Sequence, residues 1–151
     1  VMFVVALSAP FSWLMTSAGI PSQIATSILG LFHSKIAVLM MINVVLLFLG
    51  CFLETQSIIL LMTPMLLPLA EAVGLHPIAL GLIIVVNTSI GMITPPMAVN
   101  LFVASTIAGI SIEDISRRIL PYLAAEIIVL LLMTYFPQVV MWLPEALGQV
   151  M

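Results

Sequence analysis

The chain has 151 residues, of which 64% are hydrophobic and 6% charged, with a net charge of −3. A soluble domain carries roughly a quarter of its residues charged, so polar surface is too scarce here to cover a water-facing globule, and most of the outside must meet lipid. Lys and Arg total 3, too few for the basic stripe that binds nucleic acid, and the single Cys51 excludes an internal disulfide.

The first apolar run is already under way at Val1, with no initiator Met, basic n-region or cleavage motif. The expectation is a C-terminal fragment of a larger membrane protein. Residues 1–18 read as the later part of a spanning helix, kinked at Pro10 and ended by Gly19-Ile20-Pro21. Over residues 20–35, Ile24, Ile28, Leu31 and Phe32 recur at helical spacing while Gln23, Thr26 and Ser27 fall elsewhere. That pattern predicts a helix lying at the membrane interface, with His33, Ser34 and Lys35 as its polar end.

Residues 36–73 hold two apolar arms around Glu54-Thr55-Gln56-Ser57, the second arm carrying Pro64 and Pro68. Two full spans with a tight aqueous turn would fit. So would a re-entrant hairpin whose tip, Gly50 to Ser57, stops near mid-membrane. Each arm falls a little short of the ~20 residues of a full span, which favours the hairpin. Gly74-Leu75-His76-Pro77 then marks a turn. Residues 77–109 are too long for one straight span and too short for two, with Asn87 to Pro96 as a polar, proline-rich middle. A helix broken at mid-membrane is the economical solution. Residues 110–118, the only charge-dense stretch, are expected as a cytoplasmic loop because Arg117 and Arg118 lie there. Lys35, on the opposite side, counts mildly against that orientation. Ser111 and Asp114 have capping-box spacing. Residues 119–143 read as the last spanning helix, with Tyr135, Phe136 and Trp142 as an interfacial belt.

The chemistry concentrates at the break. Freed backbone groups inside a membrane cost ~2 kcal/mol or more each unless something uses them. Freed carbonyls and the hydroxyls of Thr88, Ser89 and Thr94 are hard oxygens that suit a small cation such as Na+. Pro95 and Pro96 suit the first turn of a new helix, whose N-terminus fits an anion. A proline kink satisfied by neighbouring helices is the plainer alternative. Glu54 is either a functional carboxylate at the hairpin tip or a solvated turn residue; Glu126 reads as structural. His33 and His76 lack partners at metal-ligand spacing, and Asn87-Thr88-Ser89, a glycosylation sequon by pattern, lies inside the membrane.

The run Gly91-Met92-Ile93-Thr94-Pro95-Pro96, followed by Asn100-Leu101-Phe102-Val103, resembles the large permease subunit of tripartite ATP-independent periplasmic (TRAP) transporters, the DctM-like family. The order continues through Gly50, Phe52 and Glu54, Thr63-Pro64 and Pro68, Gly74, Pro77 and Gly81, then Pro121 and Trp142-Leu143-Pro144. It is similar to roughly the last third of that subunit. Ala98 departs from the pattern, since the family usually has Gly there.

The resemblance implies an all-α polytopic membrane protein of elevator type, in which this chain holds the hairpin and broken helix of the second inverted repeat. It implies uptake of organic acid anions (dicarboxylate or sialic-acid type) coupled to Na+, with no other cofactor and no enzyme activity. The implied partners are a periplasmic substrate-binding protein and a small membrane subunit, in a bacterial or archaeal inner membrane. Carried over by motif, Na+ coordination falls on Thr88, Gly91, Thr94 and Pro95, largely through carbonyls. Asn87, Glu54, Thr55, Ser89 and Pro96 would support or line the site. The alternatives are another elevator-type ion-coupled anion transporter, an accessory subunit with no site, and an intramembrane enzyme. The polar break argues against the accessory subunit, and nothing pairs Glu54 with Glu126 as the enzyme would need.

Overall fold

An apolar chain in lipid must close its backbone hydrogen bonds within itself, which helices do. The computed structural model describes residues 2–32, 34–95 and 98–148, so His33 and Pro96 lie outside the described residues. The described residues form α1 (Met2–Ser17), α2 (Ile20–Leu31), α3 (Lys35–Phe52), α4 (Thr55–Ala72), α5 (Pro77–Met92), α6 (Val99–Ala108), α7 (Ile112–Tyr135) and α8 (Gln138–Ala146), with no strand among them. Three of these, α3, α4 and α7, are long and apolar enough to cross a membrane. At 1.5 Å per residue the 18-residue α3 and α4 are each about 27 Å long.

The core forms around α5. Val38, Leu39, Ile42, Leu46 and Gly50 make one stripe of α3 at helical spacing, and it packs on Ala79, Leu80, Ile83, Ile84 and Ile90 of α5. α4 also packs on α5, burying Ile58, Leu66, Leu69 and Ala70, while α1 and α2 cover another side of α4. α7 lies against α5 through a narrower strip that includes Leu130. Its other faces, with Tyr122, Ile128 and Leu132, are exposed. Such faces suit lipid or a further apolar segment.

α3 and α4 meet end to end at Leu53-Glu54. At their other ends the Lys35 ammonium donates to the Gly74 carbonyl at 3.4 Å. The two helices therefore form a hairpin, with its base at Lys35 and Gly74 and its tip at Leu53-Glu54.

Two sequence boundaries need correction. The expected loop at 110–118 is mostly helix, because α7 already starts at Ile112. Ser111 caps it: its Oγ accepts from the Asp114 amide at 3.2 Å and donates to Asp114 Oδ2 at 2.9 Å. Glu113 and Asp114 fall in the first turn, where carboxylates suit the helix dipole. The expected final span at 119–143 is likewise two helices. α7 stops at Tyr135, Pro137 ends the run, and the separate α8 turns back to bury Met141.

Candidate functional site

α3 and α5 run side by side in one direction, since Asn43 bonds Asn87 and, further along both helices, Gly50 touches Gly91. The second contact is backbone on backbone. A Cβ on Gly91 would lie 2.6 Å from the Gly50 Cα and carbonyl oxygen. A Cβ on Gly50 would lie 3.2 Å from the Thr88 Cα and 3.3 Å from the Asn87 oxygen. Glycine at both positions is what permits the approach. Two residues beyond Gly50, α3 ends at Phe52; one residue beyond Gly91, α5 ends at Met92.

The close crossing therefore brings two helix C-termini to one level. Two N-termini meet them there: α4 starts after Glu54, and α6 starts after Ala98. Between the four ends is a cavity of about 280 Å³. It is lined by Gly50 to Leu53, by Glu54, by Gly91 and Met92, and by Ala98 and Val99. Among the described residues, no cap side chain bonds the first-turn amides of α4 or α6. Helix starts carry partial positive charge and free N–H groups, and helix ends carry partial negative charge and free carbonyls. One small space is thus bordered by groups that suit an anion and groups that suit a cation.

The structure brings some of the expected residues together and separates others. Glu54 and Gly91 line the cavity. Thr55 is next to it, its hydroxyl donating to Met92 Sδ at 3.2 Å and so joining the start of α4 to the end of α5. Thr88 is fully buried beneath Gly50, and its hydroxyl donates to the Val85 carbonyl at 3.0 Å. Thr94 donates to the Ile90 carbonyl at 2.7 Å, and its amide bonds Gly91 O at 3.0 Å, tightening the end of α5. In each threonine the hydroxyl proton is engaged by a carbonyl of α5, which leaves the oxygen lone pairs as acceptors. Pro95 follows in the break and is exposed. Ser89 is elsewhere: it borders a groove toward α7 with Ala125 and Glu126. Asn87 is committed to a buried network with Asn43 and Thr134. Sequence reasoning passed over Asn43 and Thr134, although a lone Asn inside an 18-residue apolar helix is a visible signal.

Ala98, where the resembled family usually has Gly, has φ 37° and ψ 47°. A left-handed conformation costs an Ala on the order of 1–2 kcal/mol. Ala98→Gly is expected to stabilise the full-length protein by about 1 kcal/mol, read as a higher unfolding midpoint in detergent. A lower midpoint would contradict the backbone assignment at this cap.

The family described as "Tripartite ATP-independent periplasmic transporter, DctM component" matches residues 1–139. Among curated proteins, the isethionate TRAP transporter permease protein DctMQ of Oleidesulfovibrio alaskensis is 44% identical over 142 residues, covering 94% of this chain and 22% of that protein. The C4-dicarboxylate TRAP transporter large permease protein DctM of Pseudomonas aeruginosa is 40% identical, covering 97% of this chain and 34% of that protein. The sialic acid TRAP transporter large permease protein SiaM of Vibrio cholerae is 38% identical, covering 89% and 32%. The chain thus spans about a third or less of the length of these relatives.

Proposed function

This chain belongs to the DctM component family of tripartite ATP-independent periplasmic transporters, and from that premise we propose that it carries one half of a Na+-coupled site for organic acid anions. The family is one of transporter permeases rather than enzymes, and the chain is part of a multi-pass membrane protein. The observation that carries the proposal is the cavity where the ends of α3 and α5 meet the starts of α4 and α6.

Coupling needs a cation and an anion to stabilise the same arrangement. Na+ would be held by the oxygens of Thr88, Gly91, Thr94 and Pro95, with the ends of α3 and α5 lowering its energy. Glu54 and Thr55 border the same space, and the Glu54 carboxylate favours a cation further. The substrate's anionic group would then take the free amides at the starts of α4 and α6. The named relatives serve isethionate, C4-dicarboxylates and sialic acid, whose shared feature is a carboxylate or sulfonate on a small polar body. That class is the substrate proposed here.

In this reading α3 and α4 are a re-entrant hairpin with the tip near mid-membrane, and α5 and α6 are the halves of a broken helix. The rest of the protein would supply the other half of the site and shield the tip. Arg117 and Arg118 would face the cytoplasm of a bacterial or archaeal inner membrane. A periplasmic binding protein would deliver the substrate, and a small membrane subunit would brace the permease.

Binding is the direct test. A ligand that binds only the folded state stabilises it by mass action. In detergent, the full-length permease should unfold at a higher temperature in NaCl than in choline chloride, and higher again when a C4-dicarboxylate, sialic acid or isethionate is added with Na+. Equal midpoints in NaCl and choline chloride would remove Na+ from the mechanism.

A further inference from the structure

Apart from Asn43, Asn87, Thr88 and the glycines Gly50 and Gly91, the buried stripes that join α3 to α5 are aliphatic. In lipid such stripes prefer one sliding position only weakly, because a leucine against lipid resembles a leucine against leucine. The close crossing above them can form in only one alignment. A slide of one turn along α3 would bring Leu46 toward Gly91 in place of Gly50, where the backbones leave no space for a side chain.

Polar atoms supply what the aliphatic stripes lack. Asn87 Nδ2 donates to Asn43 Oδ1 at 2.9 Å and to the Ile83 carbonyl at 2.8 Å. Asn43 Nδ2 donates to Thr134 Oγ1 at 3.0 Å, and that hydroxyl donates to the Leu130 carbonyl at 2.7 Å. The carbonyls of Ile83 and Leu130 can only accept, so the direction of each bond in the chain is fixed. Among the described residues, Asn87 Oδ1 is then left without a partner, in a residue that is 0% exposed. An unpartnered buried acceptor is destabilising, and an apolar pair of similar shape avoids that cost. Stability alone does not account for the amides, whereas specification does: one buried Asn sets the register of a coiled coil at the expense of stability.

We propose that Asn43 and Asn87 are positioning residues, a register clamp that holds Gly50 on Gly91 and so keeps the ends of α3 and α5 at the cavity. Thr134 tethers the clamp to α7. The consequence for transport rests on the function proposed above; the alignment itself does not.

Two arms of one experiment separate these. Spin labels are placed by bioorthogonal amino acids at Val44 and Val85, both exposed, in the full-length permease in nanodiscs. The native protein should give one α3–α5 distance. Asn43→Leu with Asn87→Leu should add a second distance or at least double the width of the distribution. Asn43→Ala provides the same reading if the doubly apolar variant does not reach the membrane. An unchanged single distance in the variant overturns the clamp.

In the second arm, the doubly apolar variant should unfold at or above the native midpoint yet take up substrate at least tenfold more slowly. A purely structural pair would move both together, and uptake at the native rate also overturns the proposal. Should native uptake prove indifferent to Na+, the coupling reading fails while the distances still judge the clamp.

Discussion

Gly91→Ala is expected to reduce uptake by the full-length permease at least tenfold and to lower its stability by about 1–3 kcal/mol, the usual cost of one carbon forced into a packed place. The added Cβ would meet the Cα and carbonyl oxygen of Gly50 at 2.6 Å, which are backbone atoms that cannot rotate away. α3 and α5 would have to separate, and the ends that border the cavity would separate with them. Gly50→Ala should be milder, because its Cβ would meet Thr88 Cα, the Asn87 oxygen and Gly91 Cα at 3.2–3.3 Å, a distance that a few tenths of an ångström relieve. Thermal unfolding and initial uptake rates check the ranking. Gly91→Ala with uptake within twofold of native would show that the crossing does not set the site.

Thr88→Val combined with Thr94→Val should raise the half-saturating Na+ concentration roughly 10- to 100-fold, the equivalent of about 1.4–2.8 kcal/mol. Both hydroxyls donate to carbonyls of α5, at 3.0 and 2.7 Å. Removing them therefore orphans no other side chain, and the folded amount should change little. What is lost is a pair of hard oxygens near the end of α5. Ser89→Ala is the matched comparison: it too removes a hydroxyl bonded to the Val85 carbonyl, at 2.9 Å, but on the groove facing α7. A Na+ titration of uptake should separate the two. Equal shifts in both would show that the hydroxyls act through the helix rather than through the ion.

Much of the fold was legible because lipid simplifies the problem. Long apolar runs in a membrane become helices, and the breaks at Gly19-Ile20-Pro21, Glu54, Gly74-Leu75-His76 and Thr94-Pro95 are punctuated by residues that end or start them. At α7 the capping spacing of Ser111 and Asp114 was legible, and the cap forms; only the boundary differs, because the charge-dense stretch 110–118 reads as loop while the Ser111 cap carries the helix back to Ile112. The end of α7 was misjudged because Pro137 stands within a run of apolar residues that hydropathy alone joins to α8.

The geometry of the candidate site was legible where it depends on local sequence and hidden where it depends on packing. Glycine, hydroxyls and prolines from Thr88 to Pro95 announced the break. That Gly91 needs a second glycine opposite it is a property of two helices, and no periodicity in either shows it. Ser89 and Thr88 are adjacent in sequence but 100° apart around the helix, so one faces α7 and the other α3. Asn43 was read as part of an apolar run, and only its partners give it a role.

The most direct test of the central claim is uptake of labelled organic acids by proteoliposomes that hold the full-length permease complex, with and without an inward Na+ gradient and with and without the proposed periplasmic binding protein. Uptake that requires both, and that Gly91→Ala reduces at least tenfold in a folded complex, is the result predicted here. Uptake indifferent to the Na+ gradient would contradict a coupled site at the meeting of the four helix ends.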